Sequence, residues 1–135
     1  MFDQASSTNT TWIPRTLDDF EAVIVIFSTE QGGRLTPACN GIRWDFGYGN
    51  DPAGSEIYMI HPDFFDDHGS SIPSSQPLTV GVELKARMTV GIDEMRARLH
   101  RSRIQVGTRF FCHEGSKRVA EGVVTRITGL FDKRP

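Results

Sequence analysis

Phe110-Phe111-Cys112-His113-Glu114-Gly115-Ser116-Lys117-Arg118-Val119-Ala120-Glu121-Gly122-Val123-Val124 sets apolar, β-favouring residues on both sides of a short polar break at Gly115 and Ser116. Glycine reaches positive φ without a steric penalty, so the break predicts a tight turn between Glu114 and Lys117, and the stretch predicts a β-hairpin. Side chains able to do chemistry (His113, Glu114, Lys117 and Arg118) crowd its tip. Any hairpin turn is polar because it faces water, so this tip takes its meaning from the rest of the chain.

Working outward, Ile104 to Phe110 alternates into the hairpin, and the final strand is expected from about Arg118 to Leu130. The clearest period-two signal lies from Leu78 to Val90, where Leu84, Ala86, Met88 and Val90 alternate with Glu83, Lys85, Arg87 and Thr89. That pattern predicts one long, half-buried antiparallel strand with Leu84 inward and Glu83 outward. Phe20 to Ser28 is β-branched and almost wholly apolar, which predicts a central strand buried on both faces. Shorter strands are expected near Asn40 to Phe46 and Glu56 to Ile60, separated by the turn Gly49-Asn50-Asp51-Pro52.

From Ile92 to Arg103 the period changes, with Ile92, Met95 and Leu99 at helical spacing, acids early and arginines late. A short amphipathic helix or a basic arm is therefore inserted near 92–102. Together these elements predict an all-β, six-stranded antiparallel β-barrel over residues 18–131. Residues 1–17, rich in Ser, Thr and Asn, are expected to form a flexible tail from which Trp12 and Ile13 could dock on the core, and 132–135 a charged tail.

Composition narrows the function classes. A chain of 135 residues suits one core. Its net charge of −2 gives no general basic field, so any nucleic-acid contact must come from a local patch. No apolar run approaches the length of a membrane helix, and no charged and apolar leader opens the sequence. Cys39 and Cys112 alone do not make a disulfide framework, which points to a reduced, cytoplasmic setting and leaves a Cys39–Cys112 bridge open.

Phosphate-binding, dinucleotide, zinc-protease and serine-nucleophile motifs are absent from the sequence. Cys112 and His113 are neighbours on a strand and so point to opposite faces, unlike a nucleophile and its base. His61, Asp63, Asp66, Asp67 and His68 are metal-ligand types, but their spacing fixes no common face and suits ordinary loop chemistry. These readings together predict a non-enzyme without cofactor or metal.

Three segments now matter together: Gly32-Gly33-Arg34-Leu35-Thr36-Pro37, then Gly41-Ile42-Arg43-Trp44-Asp45-Phe46, then Arg109 to Val124. In this order they resemble the GGRxTP loop, the GYRPxF segment and the RFxxREGGRTVGxGVV hairpin of the C-terminal β-barrel domain of elongation factor Tu. The resemblance spans about Phe20 to Leu130. Ile42 and Trp44 replace the family's tyrosine and proline, and Ser116, Lys117, Arg118 and Ala120 replace its Gly, Arg, Thr and Gly. No stretch of this sequence resembles the family's GTPase domain or second barrel, so the resemblance does not imply GTP hydrolysis.

The resemblance implies a tRNA-facing surface on the two turn tips, formed here by Gly33, Arg34, Thr36, Glu114, Gly115, Lys117 and Arg118. Such tips offer backbone N–H groups and cations to phosphates and 2′-hydroxyls. Arg96, Arg98, Arg101 and Arg103 could add a secondary basic patch, or simply form a solvated face. One expectation is thus a binding module for tRNA or structured RNA, associated with translation. The other is a protein-interaction module on the same barrel: a regulator, a mimic of elongation factor Tu, or a toxin-neutralising protein. In that case the loop 63–75 and the insertion 91–102 would be the partner-specific surfaces. The sequence does not set the oligomeric state.

Overall fold

The structure is a computed structural model and describes residues 17–134. The expected N-terminal tail, with Trp12 and Ile13, lies outside the described residues except for Leu17. Among the described residues there are six strands: β1 Phe20–Ile26, β2 Asp45–Tyr48, β3 Ile60–Phe65, β4 Glu83–Val90, β5 Arg109–Glu114 and β6 Lys117–Ile127. They form one antiparallel sheet in the order β2-β5-β6-β1-β4-β3. The sheet curls into a half-barrel, and its two ends meet at Phe46 and Tyr58, which exchange N–H···O bonds of 2.8 Å. The closed barrel expected from sequence is therefore closed only through this bridge.

β6 supplies the curl. Its register slips against β1 between Glu21 and Ala22, leaving Thr125 unmatched, and against β5 between Cys112 and His113, leaving Val119 unmatched. An extra residue on one strand bends it and steepens the local twist. The second slip also explains why consecutive residues Val119 and Ala120 are both buried.

Inside the curl lies an aromatic core. Phe46 stacks on Phe110 at 4.6 Å, and Phe20 meets both rings edge-on. Such ring pairs contribute about 0.5–1.5 kcal/mol beyond the area they bury. Gly122, opposite Phe110 on β6, leaves the room this ring needs, because a Cβ there would strike the ring.

Several sequence expectations need correction. β1 is not buried on both faces: Phe20, Ala22, Ile24 and Ile26 are buried, while the residues between them are half-buried. β4 starts only at Glu83, because Thr79 to Val82 form a turn that leaves Val80 and Val82 exposed. The expected register holds, with Glu83 exposed and Leu84 packed against the core. The third strand is Ile60–Phe65 rather than Glu56 to Ile60, so the supposed loop from His61 begins as a strand despite Pro62. β3 is the last strand in the order, and an edge strand tolerates a residue with no N–H. Asn40 fastens that edge, accepting from Phe64 N and donating to Asp63 Oδ1, Phe64 O and Ile72 O.

The short helix is present over 93–103, with a π-helical stretch at Arg96–His100. Of the three apolar residues at helical spacing, Met95 packs against the core and Leu99 is half-buried. Ile92 is exposed, and the buried side chains are Arg96 and His100. Both have partners. Arg96 donates to Asp19 at 2.7 Å and to the carbonyls of Gly129, Leu130 and Asp132, while His100 meets the Tyr48 hydroxyl at 2.7 Å. Asp19, fully buried, also accepts from Val90 N and Arg134.

Gly122→Ala is expected to destabilise the domain by about 1–3 kcal/mol, the usual range for overpacking, because Phe46 and Phe20 hold the Phe110 ring in place. Glu83→Ala should change stability by less than about 0.5 kcal/mol. Urea denaturation of the two variants beside the parent checks both values.

Candidate functional site

The loop after β1 is ordered by local chemistry. Ser28 and Gln31 form a reciprocal capping box around the 3-10 turn Thr29–Gln31, and Gly32 ends it at φ +92°. Gly33 N then returns to Ser28 O at 2.8 Å. A Cβ on Gly33 would run into the backbone carbonyls of Phe27 and Ser28, so this glycine permits close approach of the loop to the strand end. The pattern Ser28-Thr29-Glu30-Gln31 was a capping signal in the sequence that the double glycine obscured. The hairpin turn falls where expected, at Gly115 and Ser116 between paired Glu114 and Lys117, with Gly115 at φ +60°.

The structure joins the two loops through one carboxylate. Glu114 Oε2 forms an ion pair with Arg34 Nε at 2.7 Å and accepts from Trp44 Nε1 at 2.8 Å. Arg34 also donates to Pro37 O and its backbone carbonyl accepts from Thr29 Oγ1, so its guanidinium braces the loop. Trp44, almost wholly buried, packs edge-on against Phe64 at 6.3 Å. Residues from each of the segments quoted above thus meet at one tip. Trp44 was not among the candidate residues; the sequence showed only that it was a departure from the family pattern.

The remaining candidates divide. Thr36 and Lys117 are exposed at the tip, whereas Gly33 is buried. Arg118 is half-buried and lies over the Phe111 ring at 4.0 Å, Phe111 being the residue opposite Glu121. Leu35, at 84% exposure, projects beside a groove of ≈ 390 Å³ lined by Phe27, Pro37, Leu78 and Val80 among others.

The arginines expected as a secondary basic patch do not share an exposed face. Arg96 is buried on Asp19. Arg101 donates to Leu130 O at 2.7 Å, and Arg103 pairs with Asp51 at 2.9 Å while covering the Tyr48 ring. Arg98 is exposed, with Met95 Sδ as its contact.

The acid and histidine set from His61 to His68 is likewise engaged within the fold. Asp63 binds Asn40 and Ser71, and Asp66 caps its own turn through His68 N and Ser70 N. Those backbone donors hold the Asp66 carboxyl below its usual range. Asp67 pairs with Lys85, and His61 Nδ1 lies 3.0 Å from Trp44 O. No group of three or more ligand-type side chains converges among the described residues. Cys39 and Cys112 are free, and burial pushes the Cys112 thiol up to about 12. His113, buried beside Gly47, is held below the ordinary imidazole range first by burial and then by the Arg118 charge. No helix of the described residues is long and apolar enough to cross a membrane. No family model matches the chain.

Glu114→Ala should release Arg34 and Trp44 together. Its loss should cost about 1–2 kcal/mol, and a double-mutant cycle with Arg34→Ala should give a coupling of about 1 kcal/mol, reduced by the partial exposure of the pair. Trp44 fluorescence, read in a Trp12→Phe background, should shift towards the emission of a wetter indole.

His100 sets a pH dependence. Burial pushes its imidazole down to about 4, while an unfolded histidine titrates near 6.5. On acidification the unfolded chain takes up this proton first, so stability falls from about pH 6.5 to about pH 4. The loss between pH 7 and pH 4.5 should be on the order of 2 kcal/mol, and His100→Gln should flatten it. Urea midpoints at the two pH values measure the slope.

Proposed function

We propose that this chain is a non-catalytic interaction module and that it docks a protein partner through the end of the half-barrel where the 29–38 loop meets the 114–117 turn. The observation carrying this reading is the pairing of Arg34 with Glu114 beside the exposed Leu35 and its apolar groove. A guanidinium already held by a carboxylate and a carbonyl is poorly placed to neutralise a phosphate. An exposed leucine beside an apolar groove is instead the kind of feature that anchors protein interfaces. The resemblance of these segments to the C-terminal barrel of elongation factor Tu points to the translation machinery as the place to look. Regulation, mimicry of that factor and neutralisation of a toxin acting on it are all compatible with such a surface.

The second reading is recognition of tRNA or structured RNA by the same tip. It is favoured by Lys117, which is exposed and has no ion pair among the described residues. The two readings respond differently to substitution. Affinity purification with and without RNase is expected to recover a protein partner in both cases, with recovery falling at least tenfold for Leu35→Glu and little for Lys117→Ala. Retention of bulk tRNA on filters at low salt, lost with Lys117→Ala and reduced steeply by added salt, would transfer the assignment to RNA. If neither variant alters any recovered partner, the tip is not the docking surface.

A further inference from the structure

Three exposed acids lie near the groove beside Leu35, outside its lining residues. On β1 the buried residues alternate with Val23 and Val25, which face outward together with Phe27, and Phe27 reaches the groove wall. Val25 pairs with Glu83 on β4 and with Glu121 on β6. Residues directly opposite one another in antiparallel strands share a face, so Val25 carries a carboxylate on each side, the two backbones about 10 Å apart. Glu30 sits on the 3-10 turn, next to the groove residue Thr29. Glu30, Glu83 and Glu121 are exposed, and none is ion-paired among the described residues.

One base shares their face, Arg118, whose guanidinium lies over the ring of Phe111, the residue opposite Glu121; two others are engaged elsewhere. Arg34 is held by Glu114, and Lys85 by Asp67 at 2.8 Å. Lys117 is unpaired but follows the hairpin turn, opposite Glu114 rather than in the Val25 row. The groove is therefore an apolar slot near which Glu30 and Glu83 have no facing base, while Glu121 has Arg118 on its side of the sheet.

We infer that the occupant of this groove is a basic polypeptide segment, which places an aliphatic or aromatic side chain against Phe27, Leu35 and Val80 and Lys or Arg residues against Glu30, Glu83 and Glu121. The inference rests on the protein-docking reading above and supplies the chemistry of the partner. Single exposed ion pairs add little affinity, but a row of like charges beside an apolar anchor selects partners by sign and speeds their encounter. The same row repels a phosphate backbone.

A phage-displayed library of random 12-residue peptides, selected on the intact chain, tests this. Enriched peptides are expected to carry Lys or Arg on both sides of a large apolar residue. Binding of the enriched peptides, made synthetically, should fall at least tenfold for the Glu83→Lys/Glu121→Lys double variant and weaken with salt. Glu94→Lys, an exposed charge change on the helical segment, should leave binding within twofold. Enrichment of neutral or acidic peptides, no enrichment, or binding indifferent to the double variant overturns the inference. The docking reading is scored separately by Leu35→Glu. Loss of binding in Leu35→Glu with none in the double variant leaves the dock standing and removes only the basic partner. Indifference to Leu35→Glu removes the dock itself.

Discussion

The bends in β6 govern this molecule. An eleven-residue strand that pairs on both sides would, if straight, force its neighbours into an open sheet. One unmatched residue against β1 and another against β5 turn it instead. The turning wraps β5 and β2 over the aromatic core and brings Phe46 within bonding reach of Tyr58. It also brings the 114–117 turn to the loop that leaves β1, and without that approach Glu114 could not reach Arg34 and Trp44. Curl and candidate site therefore share one cause.

A buried ionic cluster stabilises the other end. Asp19, lying immediately before β1, holds Arg96 and Arg134 as well as Val90 N, while Arg96 also holds the carbonyls near the end of the described chain. Burying charge is costly unless every polar atom finds a partner, and removing one member of such a set typically costs about 3–5 kcal/mol. Here the strong partners explain why an arginine and a histidine are buried more deeply than Met95 and Leu99 beside them on the 93–103 segment. The π-helical stretch spans both of them.

These causes also mark what could be read in the sequence. Alternation gave the sheet and the burial side of β4, since Leu84, Ala86, Met88 and Val90 have period two. The glycine at 115 gave the hairpin turn, because a positive φ there has few other occupants. Strand limits failed where local pattern and sheet position disagreed: Val80 and Val82 continue the alternation but sit in a turn, and Pro62 sits in a strand because that strand is an edge. Helical spacing found Met95 but missed Arg96 and His100, because it weighs apolarity, whereas Asp19, Tyr48 and the carbonyls of 129–132, far away in sequence, decide their burial. The tip was half legible. Both loops could be named, but the carboxylate joining them depends on a bulge that leaves no local signal.

What the tip can recognise follows from which of its charges are already balanced. Arg34, the one cation in its loop, is fixed at 2.7 Å from Glu114, so a competing phosphate would have to displace a carboxylate that also holds an indole N–H. Glu83 and Glu121 face no such partner, and they flank the outward side of the strand that leads to the groove. At this end of the half-barrel Glu30, Glu83 and Glu121 on one side, and Lys117 on the other, have no ion pair among the described residues, whereas the arginine of the loop is already balanced. Counting arginines along the chain gives a different charge pattern from pairing them in space. On the docking reading proposed above, it is the paired structure that a partner meets, with Leu35 as its apolar anchor point.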